Sequence, residues 1–144
     1  NTIIEIQKSK IDIRDSRKRV QFYNKLTNRR VVWVVNIQDL WRERRFELVP
    51  YSRIKKQFEV IWKRKREWII DLARRLETHL YLEFNPKSDK LLKCWIHDKT
   101  LIVSFIMKLN FFNEFMKDVA KPEYARNPDL AVEILCWQSK SIKD

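Results

Sequence analysis

The chain of 144 residues carries 31 lysine and arginine residues against 19 acidic residues, which gives a formal net charge of +12, and 44% of it is hydrophobic. This composition fits one globular domain, and its charge favours an anionic partner, with nucleic acid as the first expectation. Two cysteines exclude a disulfide framework and a thiolate zinc site built by this chain alone, and the absence of glycine excludes a P-loop or a Rossmann turn.

The first part of the chain predicts a βαβ unit. Residues 2–8 read as a strand, and Asp12 stands where an N-cap belongs, ahead of a helix expected over 14–26. The run VVWVVNI at 31–37 is typical of a strand buried on both faces of a parallel sheet. This order indicates an α/β fold with a right-handed crossover. The chain begins with asparagine, directly on a strand, so we expect a further segment upstream.

The middle of the chain predicts one long basic helix. QDLWRERRFELVP reads as a loop or short strand, and Ser52 is then placed to cap a helix that runs to about Glu77. The apolar stripe of this helix comprises Ile54, Phe58, Ile61, Trp68, Ile69, Leu72 and Leu76. Twelve lysine or arginine residues and six acidic residues lie between Arg42 and Glu77. The basic face is either solvated or contacts a DNA backbone.

The remainder predicts short strands and helices. Residues 79–106 read as three short strands with turns at NPKSD and HD, and NFFNEFMKDV follows as a short helix with Asn110 as its cap. Asn127 and Pro128 predict a last helix that ends near Trp137. The sequence has no transmembrane run and no signal peptide, so the cytoplasm is the expected compartment.

Glu5 and Gln7 are the candidate site residues of the opening strand. Residues two apart in a strand point to the same side, so these two share one face, while Ile4 and Ile6 share the other. Mg²⁺ prefers oxygen ligands, typically one or two carboxylates, and keeps room for water and phosphate. Glu5 fits such a ligand, and Gln7 fits a group that orients water or phosphate. The same pattern also fits an ordinary solvent-facing strand.

The longer pattern IEIQKSKI…RKRVQFY…VVWVVN resembles the CoiA-like competence nuclease family of the PD-(D/E)XK superfamily. The matching positions are Glu5, Gln7, Ser9, Ile11, Arg19, Tyr23 and Trp33. The specific motifs cover 3–36, and a looser similarity extends to about 118. The resemblance implies an α/β, three-layer restriction-endonuclease-like core, truncated at its N-terminus, with a mixed sheet, the long basic helix and a C-terminal helix. It makes 1–118 the nuclease-like domain and 119–144 its helical extension.

The resemblance also implies metal-dependent cleavage of DNA phosphodiester bonds with Mg²⁺ or Mn²⁺. Glu5 then ligates the metal, and Gln7 stands where the superfamily usually has lysine. Arg19, the third catalytic candidate, either contacts phosphate or forms a salt bridge that fixes helix to strand. Tyr23 and Trp33 are expected to be packing residues. The candidate DNA-contacting residues are Lys8, Lys10, Arg17, Lys63, Arg64, Lys65 and Arg66.

The chain departs from the superfamily at the second carboxylate ligand, an aspartate on a preceding strand. That strand would lie before Asn1, and Asn36 stands where relatives often have aspartate. Asp12 and Asp15 are better explained by helix capping. Two alternative functions therefore stay open. One is a catalytically inactive module on the same fold that binds nucleic acid or protein. The other is a structural subunit whose basic helix holds an acidic protein.

Overall fold

A computed structural model describes residues 2–7, 12–25, 30–76 and 79–116 as an α/β fold with a mixed seven-stranded sheet. The strands are β1 (Thr2–Gln7), β2 (Arg30–Asn36), β3 (Phe46–Ser52), β4 (Gln57–Trp62), β5 (Leu80–Glu83), β6 (Lys90–His97) and β7 (Thr100–Met107). The helices are α1 (Ile13–Asn24), α2 (Gln38–Arg42), α3 (Glu67–Leu76) and α4 (Lys108–Phe111), and α4 continues into a π-helical turn, Phe112–Met116. No helix in these ranges is long and apolar enough to cross a membrane.

The sheet has the order β1-β2-β5-β6-β7-β4-β3 and is parallel at one end only. β2 pairs in parallel with β1 and with β5, while the pairs beyond β5 are antiparallel. The predicted βαβ unit is therefore confirmed as β1-α1-β2. Asp12 caps α1, because its side chain accepts a hydrogen bond of 2.8 Å from the backbone N–H of Arg14.

β2 is buried on both faces, as its continuous apolar run predicted. Trp33 and Val35 pack in a cluster that also holds Val20 of α1 and Leu72 of α3. On the opposite face a second cluster comprises Ile6, Val32, Val34, Tyr81, Leu91, Phe111, Phe112 and Phe115. Helices α1 and α3 thus cover one face of the sheet, and α4 with its π-helical turn covers part of the other.

The predicted long basic helix from Ser52 to Glu77 is wrong. The segment forms β3, a turn, β4, a loop and then α3, which begins only at Glu67. Between 57 and 62 burial alternates: Phe58, Val60 and Trp62 join the core in the period-two pattern of a strand, while Ile61 is 40% exposed. Ile54 lies in the β3–β4 turn and is 95% exposed, so it belongs to no buried stripe. The predicted loop or short strand before Ser52 contains α2 and most of β3.

The three strands expected over 79–106 are confirmed as β5, β6 and β7. The short helix that follows begins at Lys108, two residues before the expected cap Asn110. The last helix expected from Asn127, and the extension at 119–144, lie outside the described residues.

Tight turns in this glycine-free chain place ordinary residues in the left-handed region. Arg44, Lys56, Asp98 and Lys99 have φ values of 52°, 54°, 48° and 67°. This conformation costs roughly 1–2 kcal/mol for a residue with a Cβ atom. Lys56 lies in the β3–β4 turn, and Asp98 and Lys99 form the β6–β7 turn.

A buried ion pair anchors α4 to the end of β5. The Nζ atom of Lys108 lies 3.5 Å from Oε1 of Glu83, and both side chains are almost completely inaccessible to water. The ammonium also donates hydrogen bonds of 3.2 Å to the backbone carbonyls of Asn85 and Pro86. Removal of one partner from such a pair leaves an uncompensated buried charge, which is strongly destabilising.

We expect Glu83→Gln and Lys108→Met each to lower the free energy of unfolding by about 3 kcal/mol, because each leaves the other charge buried. The double variant is expected to lose less than the sum of the two single losses. Urea denaturation of all three, with the exposed Lys87→Met as a control, measures the coupling. Losses that simply add would contradict a paired interaction.

Candidate functional site

Glu5 and Gln7 lie on the face of β1 that α1 covers. Glu5 is in register with Trp33 of β2, whose side chain belongs to the cluster under α1 and α3. Ile6, between them, packs in the cluster on the opposite face. Because β1 is the outermost strand on its side of the described sheet, this pair lies at a sheet edge next to a helix.

Arg19 and Tyr23 of α1 bring three hydrogen bonds to these two residues. Nη1 of Arg19 donates to Oε1 of Glu5 at 2.8 Å and to Oε1 of Gln7 at 3.1 Å. The hydroxyl of Tyr23 donates to Oε2 of Glu5 at 2.6 Å. Arg19 and Tyr23 are four residues apart, so they occupy neighbouring positions on one helix face. We call these four residues the Glu5 cluster.

The Glu5 cluster is protected from water on the side of the strand and open on the side of the arginine. The side chain of Glu5 is 13% exposed and that of Arg19 is 41% exposed. Burial, and then the hydrogen bond and charge of Glu5, raise the pKa of Tyr23 to about 12. Tyr23 therefore stays protonated well into the alkaline range and serves as a fixed donor to the carboxylate.

The oxygen atoms of the Glu5 cluster suit a cation. Oε1 of Glu5 and Oε1 of Gln7 converge on one nitrogen of the Arg19 guanidinium. Mg²⁺ prefers oxygen ligands and commonly takes one or two carboxylates, with water and phosphate completing its shell. Glu5 and Gln7 fit that demand with one carboxylate and one amide oxygen. Across the described ranges no three His, Cys, Asp or Glu side chains come together.

The other polar residues considered as ligands have local roles. Asp12 caps α1, and the Oδ1 atom of Asn36 accepts a hydrogen bond of 2.9 Å from the backbone N–H of Gln38 at the start of α2. This contact is typical of an asparagine that ends a strand and begins a turn.

The predicted DNA-contacting residues that the structure describes gather in one place, on the side of α1 away from Glu5. Arg17 faces α3, where its Nη2 atom lies 3.0 Å from Oδ1 of Asp71, whereas Arg19 faces β1 on the other flank of α1. Arg14, Arg17, Arg64, Lys65 and Arg66 line a groove of about 660 Å³ between the start of α1 and the loop before α3. We call it the basic groove. Lys63 precedes it in that loop, and Lys8 and Lys10 lie outside the described residues.

Asp71 is the acidic residue that organises one side of the basic groove, and sequence reasoning missed it. Nε of Arg75 approaches its Oδ2 at 3.1 Å, so Asp71 holds two arginines. Burial acts to raise the pKa of Asp71, but the hydrogen bonds and charges of Arg17 and Arg75 outweigh it and hold that pKa below its usual value. The spacing of Asp71 and Arg75, four residues apart on a helix, was a signal for their pairing.

Tyr23 also has more than the packing role expected of it. Its ring packs against Trp33 at 6.4 Å between centroids, which confirms the packing expectation. Its hydroxyl, however, is hydrogen-bonded to the carboxylate of Glu5. The Arg19–Glu5 ion pair is the salt bridge between helix and strand that the sequence allowed as one of two roles for Arg19.

No protein-family model, curated protein or solved structure matches the chain. The likeness to CoiA-like nucleases therefore stays an expectation carried by the residues of 3–36.

The hydrogen bond of Tyr23 makes stability depend on alkaline pH. Its pKa is about 12 in the folded chain against 10.0 ordinarily, so the stabilisation is full below pH 10 and is lost as the pH rises through about 12. We expect Tyr23→Phe to lower the free energy of unfolding at pH 7 by about 1 kcal/mol. It should also reduce the decline in stability between pH 10 and pH 12.

Urea denaturation at several pH values measures this change, with the exposed Tyr51→Phe as a matched control. Some alkaline decline will persist in every variant, because burial also raises the pKa of Tyr81 to about 12. Identical alkaline slopes for the chain and for Tyr23→Phe would contradict the assignment.

Proposed function

We propose that this chain is a DNA-processing domain that cleaves phosphodiester bonds with a divalent metal ion, built on a restriction-endonuclease-like core of which β1-α1-β2 is a part. The observation that carries the proposal is the convergence of the Glu5 and Gln7 oxygens on one cationic nitrogen of Arg19. These three residues are among the seven positions that match the nuclease pattern in the sequence. The expected compartment is the cytoplasm.

Each member of the Glu5 cluster has a distinct task in this proposal. Glu5 and Gln7 would hold Mg²⁺ or Mn²⁺, which neutralises phosphate charge and activates water when bound. Tyr23 fixes the orientation of the Glu5 carboxylate through its 2.6 Å hydrogen bond. Arg19, the more exposed member of the ion pair, turns towards a phosphate oxygen and stabilises the charge that develops there.

The basic groove supplies backbone affinity in this proposal. Its arginines and lysines attract phosphates independently of base sequence, as is usual for contacts that position DNA rather than read it. The formal charge of +12 supports the same partner. Arg17 has its charge partly balanced by Asp71, and Lys65 has its charge partly balanced by Glu67 at 3.5 Å. Arg14 and Arg64 are the other exposed cations of the groove and contribute the most accessible charge.

Binding without cleavage is the second candidate function. Both carboxylate oxygens of Glu5 already accept a hydrogen bond, one from Arg19 and one from Tyr23. A carboxylate held in this way also serves as a purely structural link between β1 and α1. In that case the chain is a binding module for nucleic acid or for an acidic protein on the same fold.

Cleavage of labelled single- and double-stranded DNA with Mg²⁺ or Mn²⁺ tests the first candidate. Loss of a group that merely supports a metal ligand typically costs about 10- to 100-fold. We therefore expect Glu5→Gln, which removes a ligand's charge, to reduce cleavage by at least about 100-fold. The exposed Glu47→Gln in β3 is the matched control and should cleave normally.

Binding of the same DNA in EDTA separates the two candidates. Metal-dependent cleavage that is lost in Glu5→Gln, with binding retained, supports the nuclease. Salt-sensitive binding without cleavage in any form would overturn it in favour of the binding module. Binding of an acidic protein that is insensitive to added DNA would overturn both DNA functions.

The basic groove gives a separate prediction. We expect Arg64→Ala and Lys65→Ala each to weaken DNA binding uniformly across sequences and to reduce the slope of log affinity against log salt by about 1. Fluorescence anisotropy over a salt series measures the slope, with the exposed Lys25→Ala as a control. An unchanged slope in both groove variants would place the backbone contacts elsewhere.

A further inference from the structure

A second basic cleft lies at the other end of the sheet from the Glu5 cluster. It has a volume of about 480 Å³ and is formed by the end of β3, the β3–β4 turn and the ends of β6 and β7. Arg53, Lys56 and Lys90 supply three positive charges, and none of the eight described residues that line it is acidic. This volume falls within the range of about 300–1,000 Å³ that is usual for ligand sites.

Two aromatic rings belong to the lining of this cleft. Phe58 and Phe105 both line it, and their centroids lie 5.8 Å apart in an edge-to-face arrangement. Phe105 packs in the same way on Phe84 at 5.7 Å, and Phe84 in turn on Trp41 at 4.5 Å. Phe105 is nevertheless 38% exposed, so part of its ring is open to a ligand while its neighbours hold it in place.

The β3–β4 turn holds its charges at a conformational cost. Lys56 has a φ of 54°, in the left-handed region that favours glycine, and the turn is tied by a hydrogen bond of 3.3 Å from the backbone N–H of Lys55 to Oγ of Ser52. This turn places Arg53 and Lys56 in the lining of the same cleft as Phe105.

We propose that this cleft binds a single-stranded segment of DNA, with a base stacked on Phe105 and the backbone phosphates held by Arg53, Lys56 and Lys90. Cations that track a phosphate backbone beside exposed aromatic rings are the general means of binding single strands, because every base has a stacking face. A duplex keeps its bases inside and gains nothing from Phe105. An acidic protein would form ion pairs with the three cations but would not require the exposed ring of Phe105.

The cleft and the Glu5 cluster lie on the same face of the sheet. Phe105 is in register with Leu92, and Glu5 with Trp33, and both partners belong to the cluster under α1 and α3. The strands β1 and β7 are four spacings apart in the sheet order, or about 19 Å. The choice of DNA as the polyanion rests on the proposed function, whereas the demand for stacking and charge rests on the cleft itself.

Fluorescence anisotropy in EDTA tests the inference with two labelled probes of equal charge, a twelve-residue oligothymidine and an abasic deoxyribose-phosphate strand of the same length. We expect Phe105→Leu and Phe105→Ala to weaken oligothymidine binding by about tenfold, the loss of one stacked base, and to leave the abasic strand unaffected. Phe105→Leu keeps apolar volume in the cleft and so controls for damage to the fold. Phe22→Ala, at an exposed phenylalanine of α1, is the matched control and should bind normally.

Several results would overturn the inference. Equal affinity of the unaltered chain for both probes would show that no base is stacked, as would unchanged oligothymidine binding in Phe105→Leu. If polyglutamate displaced oligothymidine and this displacement required Phe105, the ligand of the cleft would be an acidic protein and not DNA. Cleavage with Mn²⁺, measured on the same variants, reports the proposed function separately. A chain that stacks oligothymidine but never cleaves it would retain this inference and lose the nuclease.

Discussion

β2 has no face that meets water, and this constraint organises the rest of the molecule. Its residues Val32 to Val35 are fully buried, so each face needs its own cover. One face takes α1 and α3, and the other takes α4 with its π-helical turn. Burial of β2 therefore determines where α1 lies against β1. The position of α1 in turn brings Arg19 and Tyr23 into contact with Glu5. The candidate site is a consequence of how β2 is covered.

The sequence predicted the elements in which one physical signal was dominant. The run 31–37 is typical of a doubly buried strand, and Asp12 is best explained as a helix cap, so the β1-α1-β2 unit was correctly predicted. The prediction of one helix over 52–77 was wrong because the segment contains two patterns. Phe58, Val60 and Trp62 fit a strand, whereas the residues from Trp68 onwards fit a helix. A single helical stripe drawn through both patterns joined two elements of different kinds, and exposed Ile54 was counted as part of it.

The sequence predicted which residues belong to the candidate site, but not which contacts they make with one another. Residue spacing placed Glu5 with Gln7 on one strand face and Arg19 with Tyr23 on one helix face. Which helix face meets which strand depends on tertiary packing, and the hydroxyl contact of Tyr23 depends on where its ring comes to rest on Trp33. The same limit applies to Arg17. It lies two residues from Arg19, about 200° around the helix, so it faces away from Glu5. Its partner Asp71 is 54 residues away in sequence.

The left-handed turns of this glycine-free chain have a consequence for its electrostatic potential. Where most proteins place a residue without a side chain, three of the four such positions described here carry arginine or lysine: Arg44, Lys56 and Lys99. The tightest bends are therefore also points of positive charge that project from the surface. The positive electrostatic potential of these turns attracts a polyanion before any contact forms. The distance over which this attraction acts decreases as ionic strength rises. The residues that bend the chain thus also attract a negatively charged partner. The strained turns therefore contribute to the long-range electrostatic attraction of this protein.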